Sequence, residues 1–123
     1  MTIDYIEQKL SPGAARRGCR HITWTLANGE MGTPFELGSY SDYSIHCVGT
    51  AGVGLSWTFY GSNLPAPTVI GEFVALTDPQ GGAITKSAKD VIEQAEEITR
   101  WATPKVTAGD GSTDIDIHLF CRM

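Results

Sequence analysis

Short segments in which apolar and polar residues alternate dominate the chain from residue 21 onwards. Such alternation places successive side chains on opposite faces of a β-strand. The clearest segment spans residues 53–60, and its predicted inward side chains are Val53, Leu55, Trp57 and Phe59. The last segment, residues 113–122, repeats the pattern with Ile115, Ile117, Leu119 and Cys121. The alternation therefore predicts a protein built mainly from half-buried strands.

Turn-forming residues separate these segments. Asn28-Gly29 and Asp110-Gly111 both favour the tight turn of a β-hairpin. The chain has 14 glycines and 6 prolines, and this density favours many short strands over a few long helices. Strands at intervals of about eight to twelve residues are typical of sandwiches. We therefore expect an all-β fold, a β-sandwich of jelly-roll type.

Residues 86–97 are the exception to this pattern. The segment contains no glycine or proline, and its apolar residues lie at helical spacing: Ala88, Val91, Ile92 and Ala95. This spacing predicts a helix of about two to three turns. We expect at most this one short helix, at about residues 86–97, in the sandwich.

The first 20 residues carry little strand pattern. A length of 123 residues is typical of a single domain. We divide the chain into an N-terminal arm, residues 1–20, and a β-sandwich domain, residues 21–123. Arg16, Arg17 and Arg20 cluster at the end of the arm. Such a cluster is either a solvated loop or a contact arm for an acidic partner, so these arginines are the candidate partner-contact residues.

Charge and hydropathy exclude two classes of partner. Nine basic and 14 acidic side chains give a formal net charge of −5, and no basic stripe is present that could neutralise phosphates. We therefore expect no binding of nucleic acid. No stretch is apolar for the length of a membrane span, and the N-terminal segment contains acidic residues unlike a secretory signal. We expect synthesis in a cytoplasm and no membrane contact.

Groups that could carry catalysis are sparse. Cys19, Cys47 and Cys121 are odd in number and widely spaced, so we expect free thiols and no zinc site. His46 and Cys47 cannot form a local catalytic pair, because adjacent residues of a strand point to opposite faces. We expect no catalytic residues and a protein that is not an enzyme; a small hydrolase is the least favoured of the functions considered.

Three histidines and three aspartates remain as possible ligands. The histidines fall in different predicted strands, at polar positions typical of a surface or a pocket rim: His21, His46 and His118. The aspartates are too widely spaced for a calcium loop and are explained by a turn and an exposed strand face: Asp110, Asp114 and Asp116. We expect no metal site and no cofactor.

Tyrosines supply the alternative to a purely structural protein. Tyr40, Tyr43 and Tyr60 lie near turns or on a predicted outer strand face. Aromatic side chains at such positions are typical of protein interfaces, and they also form the platforms on which lectin-like sandwiches bind sugars. Whether these surface tyrosines bind sugar stays open at this point.

The second half of the sequence resembles a known class of proteins. The resemblance rests on three motifs: Ser-Trp-Thr-Phe-Tyr-Gly-Ser-Asn at residues 56–63, Phe-Val-Ala-Leu-Thr-Asp-Pro-Gln-Gly at 73–81, and Val-Thr-Ala-Gly-Asp-Gly-Ser-Thr at 106–113. An alternating strand that ends at Arg122 follows the third motif. Together they cover roughly residues 49–123, which resemble small structural proteins of tailed bacteriophages, the capsid decoration or cement proteins.

This resemblance implies a function without transferring any active-site residue. It implies a non-enzymatic protein of the virion, made in the host cytoplasm, that binds and stabilises the outer surface of the capsid. The implied partners are the major capsid protein and further copies of the chain in a dimer or trimer. The alternative is a carbohydrate-binding β-sandwich module of a phage tail or fibre, because related sandwiches occur there.

Overall fold

A computed structural model describes residues 2–38 and 40–123, without the side chains of Ala15 and Arg16. Twelve strands, one α-helix and one 3-10 helix are found in these residues. In chain order they are β1 (Thr2–Ile3), β2 (Ile6–Gln8), α1 (Pro12–Arg16), β3 (Arg20–Ala27), β4 (Met31–Gly32), β5 (Phe35–Glu36), β6 (Asp42–Thr50), β7 (Ser56–Ser62), the 3-10 helix (Ile70–Glu72), β8 (Val74–Ala75), β9 (Thr85–Lys86), β10 (Val91–Gln94), β11 (Trp101–Ala108) and β12 (Asp114–Arg122).

The strands form two sheets that pack face to face. The five-stranded sheet has the order β10-β6-β12-β3-β2, and all its neighbours are antiparallel. The seven-stranded sheet has the order β1-β4-β11-β7-β8, with β5 also paired to β11 and β9 to β7. The pairing of β1 with β4 is parallel. The prediction of an all-β sandwich is thus confirmed.

The core lies between the two inner faces. Leu55, Trp57 and Phe59 are buried as the alternation predicts. The prediction for Val53 is wrong, because β7 begins only at Ser56 and the Val53 side chain is 78% exposed. All four predicted inward residues of β12 are fully buried: Ile115, Ile117, Leu119 and Cys121.

Two buried tryptophans are held by hydrogen bonds as well as by packing. The indole Nε1 of Trp24 donates to the carbonyl oxygen of Thr33 at 2.9 Å, and that of Trp57 donates to the carbonyl oxygen of Ala88 at 3.0 Å. Trp24 also meets Phe59 edge to face, with 6.3 Å between ring centroids. Because Trp24 lies on β3 and Phe59 on β7, this contact joins the two sheets. A buried indole that finds an acceptor avoids the cost of an unpaired donor.

The helix predicted at residues 86–97 is wrong. This segment contains β9 and β10, and β10 pairs antiparallel with the edge of β6. Asp90, at φ 60°, has a left-handed backbone that interrupts a helix. Its N–H donates to the carbonyl oxygen of Cys47 at 2.7 Å, which starts the pairing. The single α-helix of the described residues is α1, near the N-terminus.

The N-terminal segment is part of both sheets. β1 joins the seven-stranded sheet through β4, and β2 joins the five-stranded sheet through β3. Tyr5, between these strands, packs edge to face on Trp24 and on Phe35, with ring centroids 5.9 and 5.3 Å apart. The expectation that residues 1–20 carry little strand structure is therefore wrong for the described residues. A boundary at residue 20 stays a prediction.

Tyr43 is a further departure from the sequence prediction. The sequence predicts Tyr43 near a turn or on an outer face, but it is a buried core residue on β6. Its hydroxyl donates to the carbonyl oxygen of Glu97 at 2.5 Å. This bond satisfies the polar tip, so the ring can be buried at little cost.

Candidate functional site

The three histidines of the chain meet on the outer face of the five-stranded sheet. His118 on β12 lies directly opposite His46 on β6 and opposite Thr23 on β3. His21 lies one pleat further along β3, opposite Phe120. Each histidine points away from the core because its strand neighbours point inward. Antiparallel pairing thus joins three polar positions that are far apart in sequence.

Short polar contacts connect two of these histidines. The His21 Nε2 and His118 Nδ1 atoms are 2.9 Å apart, and the Thr23 hydroxyl oxygen is 3.0 Å from the same Nδ1. The His46 and His118 rings have centroids 6.2 Å apart. One of the two bonded ring nitrogens must carry the proton, so this contact requires at least one neutral imidazole. No group of three or more His, Cys, Asp or Glu among the described residues is arranged to hold a metal ion.

Exposed apolar side chains surround the histidines. Ile6 and Ile92 are each 66% exposed, and Phe120 is 39% exposed. Ile6 lies opposite Thr23, and Ile92 opposite His46. We call this surface the histidine face and define it as Ile6, His21, His46, Ile92, His118 and Phe120. Its centre is a shallow depression of about 380 Å³.

The pKa of His21 gives this face a pH dependence. Partial burial and the neighbouring His118 lower the pKa of His21 from its ordinary value of 6.5. The unfolded chain therefore takes up the proton more readily than the folded one. The contribution of His21 to stability is complete above about pH 6.5 and is lost as the pH falls through the lowered pKa.

We expect the melting temperature to fall between pH 7.5 and 5, and to fall less in a His21→Gln variant. Glutamine can keep a hydrogen bond to His118 but does not titrate in this range. Hydrogen bonds lower the pKa values of four carboxyls, whose contribution to the pH dependence is shared by both proteins and cancels in the comparison: Glu7, Glu72, Glu97 and Asp110. Calorimetric scans of both proteins measure the difference. Identical pH profiles would contradict the role of His21.

Of the three candidate contact arginines, Arg20 is the one with side-chain contacts in the described part of the structure. Arg20 pairs with the Glu7 carboxylate, lies 4.8 Å above the Phe35 ring, and donates to the Tyr40 hydroxyl at 3.5 Å. The hydrogen bond to Glu7 is the main cause that raises the pKa of Arg20. Arg17 is exposed, and the Arg16 side chain lies outside the described part of the structure. Arg20 thus has partners within its own chain.

A second depression lies at one end of the sandwich, next to Arg20. It has a volume of about 510 Å³. We call it the end pocket and define it by the side chains that carry its chemistry: Tyr5, Arg20, Phe35, Glu36, Tyr40 and Trp101. Of the three tyrosines singled out in the sequence, Tyr40 alone lines this pocket; Tyr60 lies half-buried on β7.

The cysteines and aspartates have structural surroundings. Burial is the main cause that raises the pKa of Cys47 to about 12 and that of Cys121 to about 11, so both thiols stay protonated at neutral pH. Cys19 is half-buried. The Asp110 carboxylate accepts the Val53 and Ser112 backbone N–H groups, both at 2.9 Å. Asp110 therefore organises a loop, as expected for a turn residue.

Comparison with known proteins identifies the fold. Neither a known protein family nor a curated protein matches this sequence. The chain is similar to the crystal structure of the SPBc2 prophage-derived protein YomS, with a TM-score of 0.64 and 10% sequence identity. The match covers 85% of this chain and 95% of that chain. The two proteins share a fold over nearly the whole of YomS. None of the helices described here is long and apolar enough to cross a membrane.

Proposed function

We propose that this chain is a non-enzymatic structural protein of a bacteriophage particle that binds the outer surface of the capsid and stabilises it. Its partners are the major capsid protein and further copies of the chain. Two lines of argument support a phage protein: the resemblance of residues 49–123 to decoration proteins, and a fold shared with a prophage-derived protein. The observation that carries the proposal is the histidine face.

The histidine face has the properties of a docking surface. Exposed apolar groups favour protein contact. Ile92 and Phe120 border the central depression together with the three histidines, and Ile6 lies on the same outer face at the β2 edge. The strands beneath it are paired along their length, so the surface is preformed and little ordering entropy is lost on binding. The imidazoles at the centre add hydrogen-bonding groups to this surface.

Repetition of this contact explains how a small face can stabilise a large shell. A capsid presents many equivalent sites, and a dimer or trimer of this chain can occupy two or three at once. Linked binding events raise the avidity without any new contact. Each individual contact can therefore be modest, and the capsid gains stability from bridges between neighbouring subunits.

Co-sedimentation with undecorated capsids of the phage that encodes this chain tests the proposal. We expect the intact protein to sediment with the capsids and the variants Ile92→Asp and Phe120→Asp to lose at least about tenfold in affinity, because a carboxylate in this apolar patch must be desolvated. Val74→Asp is the matched control, since Val74 is 73% exposed and lies on β8 of the other sheet.

The outcomes separate the two parts of the proposal. Equal binding by all three variants and the intact chain would contradict the role of the histidine face. Absence of binding by the intact chain would contradict the capsid function itself. Circular dichroism of each variant before sedimentation establishes that the fold is retained.

A further inference from the structure

The end pocket combines aromatic rings with charged side chains at one end of the sandwich. Phe35 packs between Tyr5 and Tyr40, with ring centroids 5.3 and 6.4 Å away. Trp101 lies on the neighbouring strand, directly opposite Glu36 in the pairing of β11 with β5. Four rings thus contribute to a pocket of about 510 Å³, which lies within the range of small-ligand sites.

Trp101 differs from the other two tryptophans of the chain. The indole N–H groups of Trp24 and Trp57 each donate to a backbone carbonyl. The Trp101 Nε1 is buried and has no hydrogen-bond partner among the described residues. A buried donor without a partner costs free energy. The Trp101 side chain is half-buried and lines the end pocket, so the pocket offers a ligand the Trp101 ring and not its covered N–H.

The charged groups near the pocket are already paired. Arg20 is bound to Glu7, and the Arg100 Nε is 3.1 Å from the Glu36 carboxylate. The pocket therefore has little net charge to offer a free anion or cation. Its rings can pack against an apolar face, and its paired side chains retain oxygen and nitrogen atoms for hydrogen bonds. This combination suits a neutral ligand with one apolar face and many hydroxyls.

We propose that the end pocket is a binding site for a pyranose sugar. Tyr40 and Trp101 would pack on the C–H face of the ring. The side chains of Arg20 and Glu36 would bond its hydroxyls. The site lies at one end of the sandwich and is distinct from the histidine face, so it adds a second binding function that does not depend on capsid attachment.

Saturation-transfer NMR on the full chain tests the proposal, with methyl glucoside, methyl galactoside and N-acetylglucosamine at millimolar concentration as probes. We expect transfer to at least one of the three sugars. Backbone resonances that shift on titration should belong to Tyr40, Trp101 and their neighbours. A second experiment measures binding of a trisaccharide built from the sugar that binds. It shows whether the natural ligand is a polysaccharide or a free sugar. Tighter binding than the monosaccharide indicates a polysaccharide, and equal binding indicates a free sugar.

Four variants make the result specific. Trp101→Ala and Tyr40→Ala should lose the transfer signal, whereas Tyr60→Ala should keep it, because Tyr60 is a half-buried tyrosine outside the pocket. Trp101→Phe retains a smaller ring, and it keeps the test valid if the alanine variant fails to fold. Weaker binding by Trp101→Phe is the expected result, because a phenyl ring offers less area for packing against the sugar. No transfer to any of the three sugars, or an unchanged signal in both Tyr40→Ala and Trp101→Phe, would overturn the proposal.

Discussion

Replacement of Trp57 by alanine is expected to lower the free energy of unfolding by about 3–5 kcal/mol. Trp57 is completely buried between the two sheets. The truncation removes its packing contacts and leaves a cavity that the rigid strands cannot close. It also leaves the Ala88 carbonyl oxygen without the indole donor at 3.0 Å. Urea unfolding monitored by circular dichroism measures the loss.

Trp101→Ala is the matched control for this prediction. It removes the same side chain from a half-buried position whose indole N–H has no partner in the part of the chain that the structure describes. The expected loss of stability is therefore smaller than at Trp57. A Trp57→Ala protein that unfolds at the same urea concentration as the intact chain would mean that β7 has another register.

The central strands were predictable because one face of each is buried and the other is not. In β12 the buried residues alternate with more exposed ones along the whole strand, so the period of two is visible in the sequence. The strand β7 departs from this pattern, because Thr58 is buried as well as Trp57 and Phe59. The alternation gave the right inner face of β7 but overextended it to Val53, which lies in the preceding loop.

The prediction of a helix at residues 86–97 failed because the apolar residues of a short segment can match both the helical period of 3.6 residues and the strand period of two. Val91 and Ile92 would share one face of a helix, but in β10 they point to opposite sides of the sheet. Val91 packs against the core, and Ile92 is exposed on the histidine face. The free edge of β6 supplies hydrogen-bonding groups that the isolated segment lacks, and this tertiary pairing outweighs local propensity.

The candidate surfaces depend on strand order, which the sequence does not display. His21 and His118 are separated by 97 positions, yet the pairing of β12 with β3 brings their ring nitrogens within 2.9 Å. The alternation predicted that each histidine points outward. It could not predict that β6, β12 and β3 are neighbours in this order. The same holds for the end pocket, where Tyr5, Tyr40 and Trp101 come from three distant segments.

Deletion of residues 1–8 is expected to lower the free energy of unfolding by more than about 3 kcal/mol. The deletion removes β1 and β2, and with them one strand from each sheet. It also removes the Tyr5 ring from its edge contacts with Trp24 and Phe35, so part of the core becomes open to water. Finally, Arg20 loses the Glu7 carboxylate that pairs with it. Thermal and urea unfolding of the truncated and full-length chains measure the effect.

Ile6→Ser is the control that separates strand pairing from side-chain loss. Ile6 belongs to β2 but is largely exposed, so this variant should change stability by no more than about 0.5 kcal/mol. If the truncated chain were as stable as the full-length one, residues 1–8 would be free to serve as part of the arm that the sequence predicts at residues 1–20. If the truncated chain is destabilised, residues 1–8 are instead a structural part of the sandwich. A loss of capsid binding on deletion would then result from a damaged fold, so the capsid contact must be tested by substitutions on the histidine face.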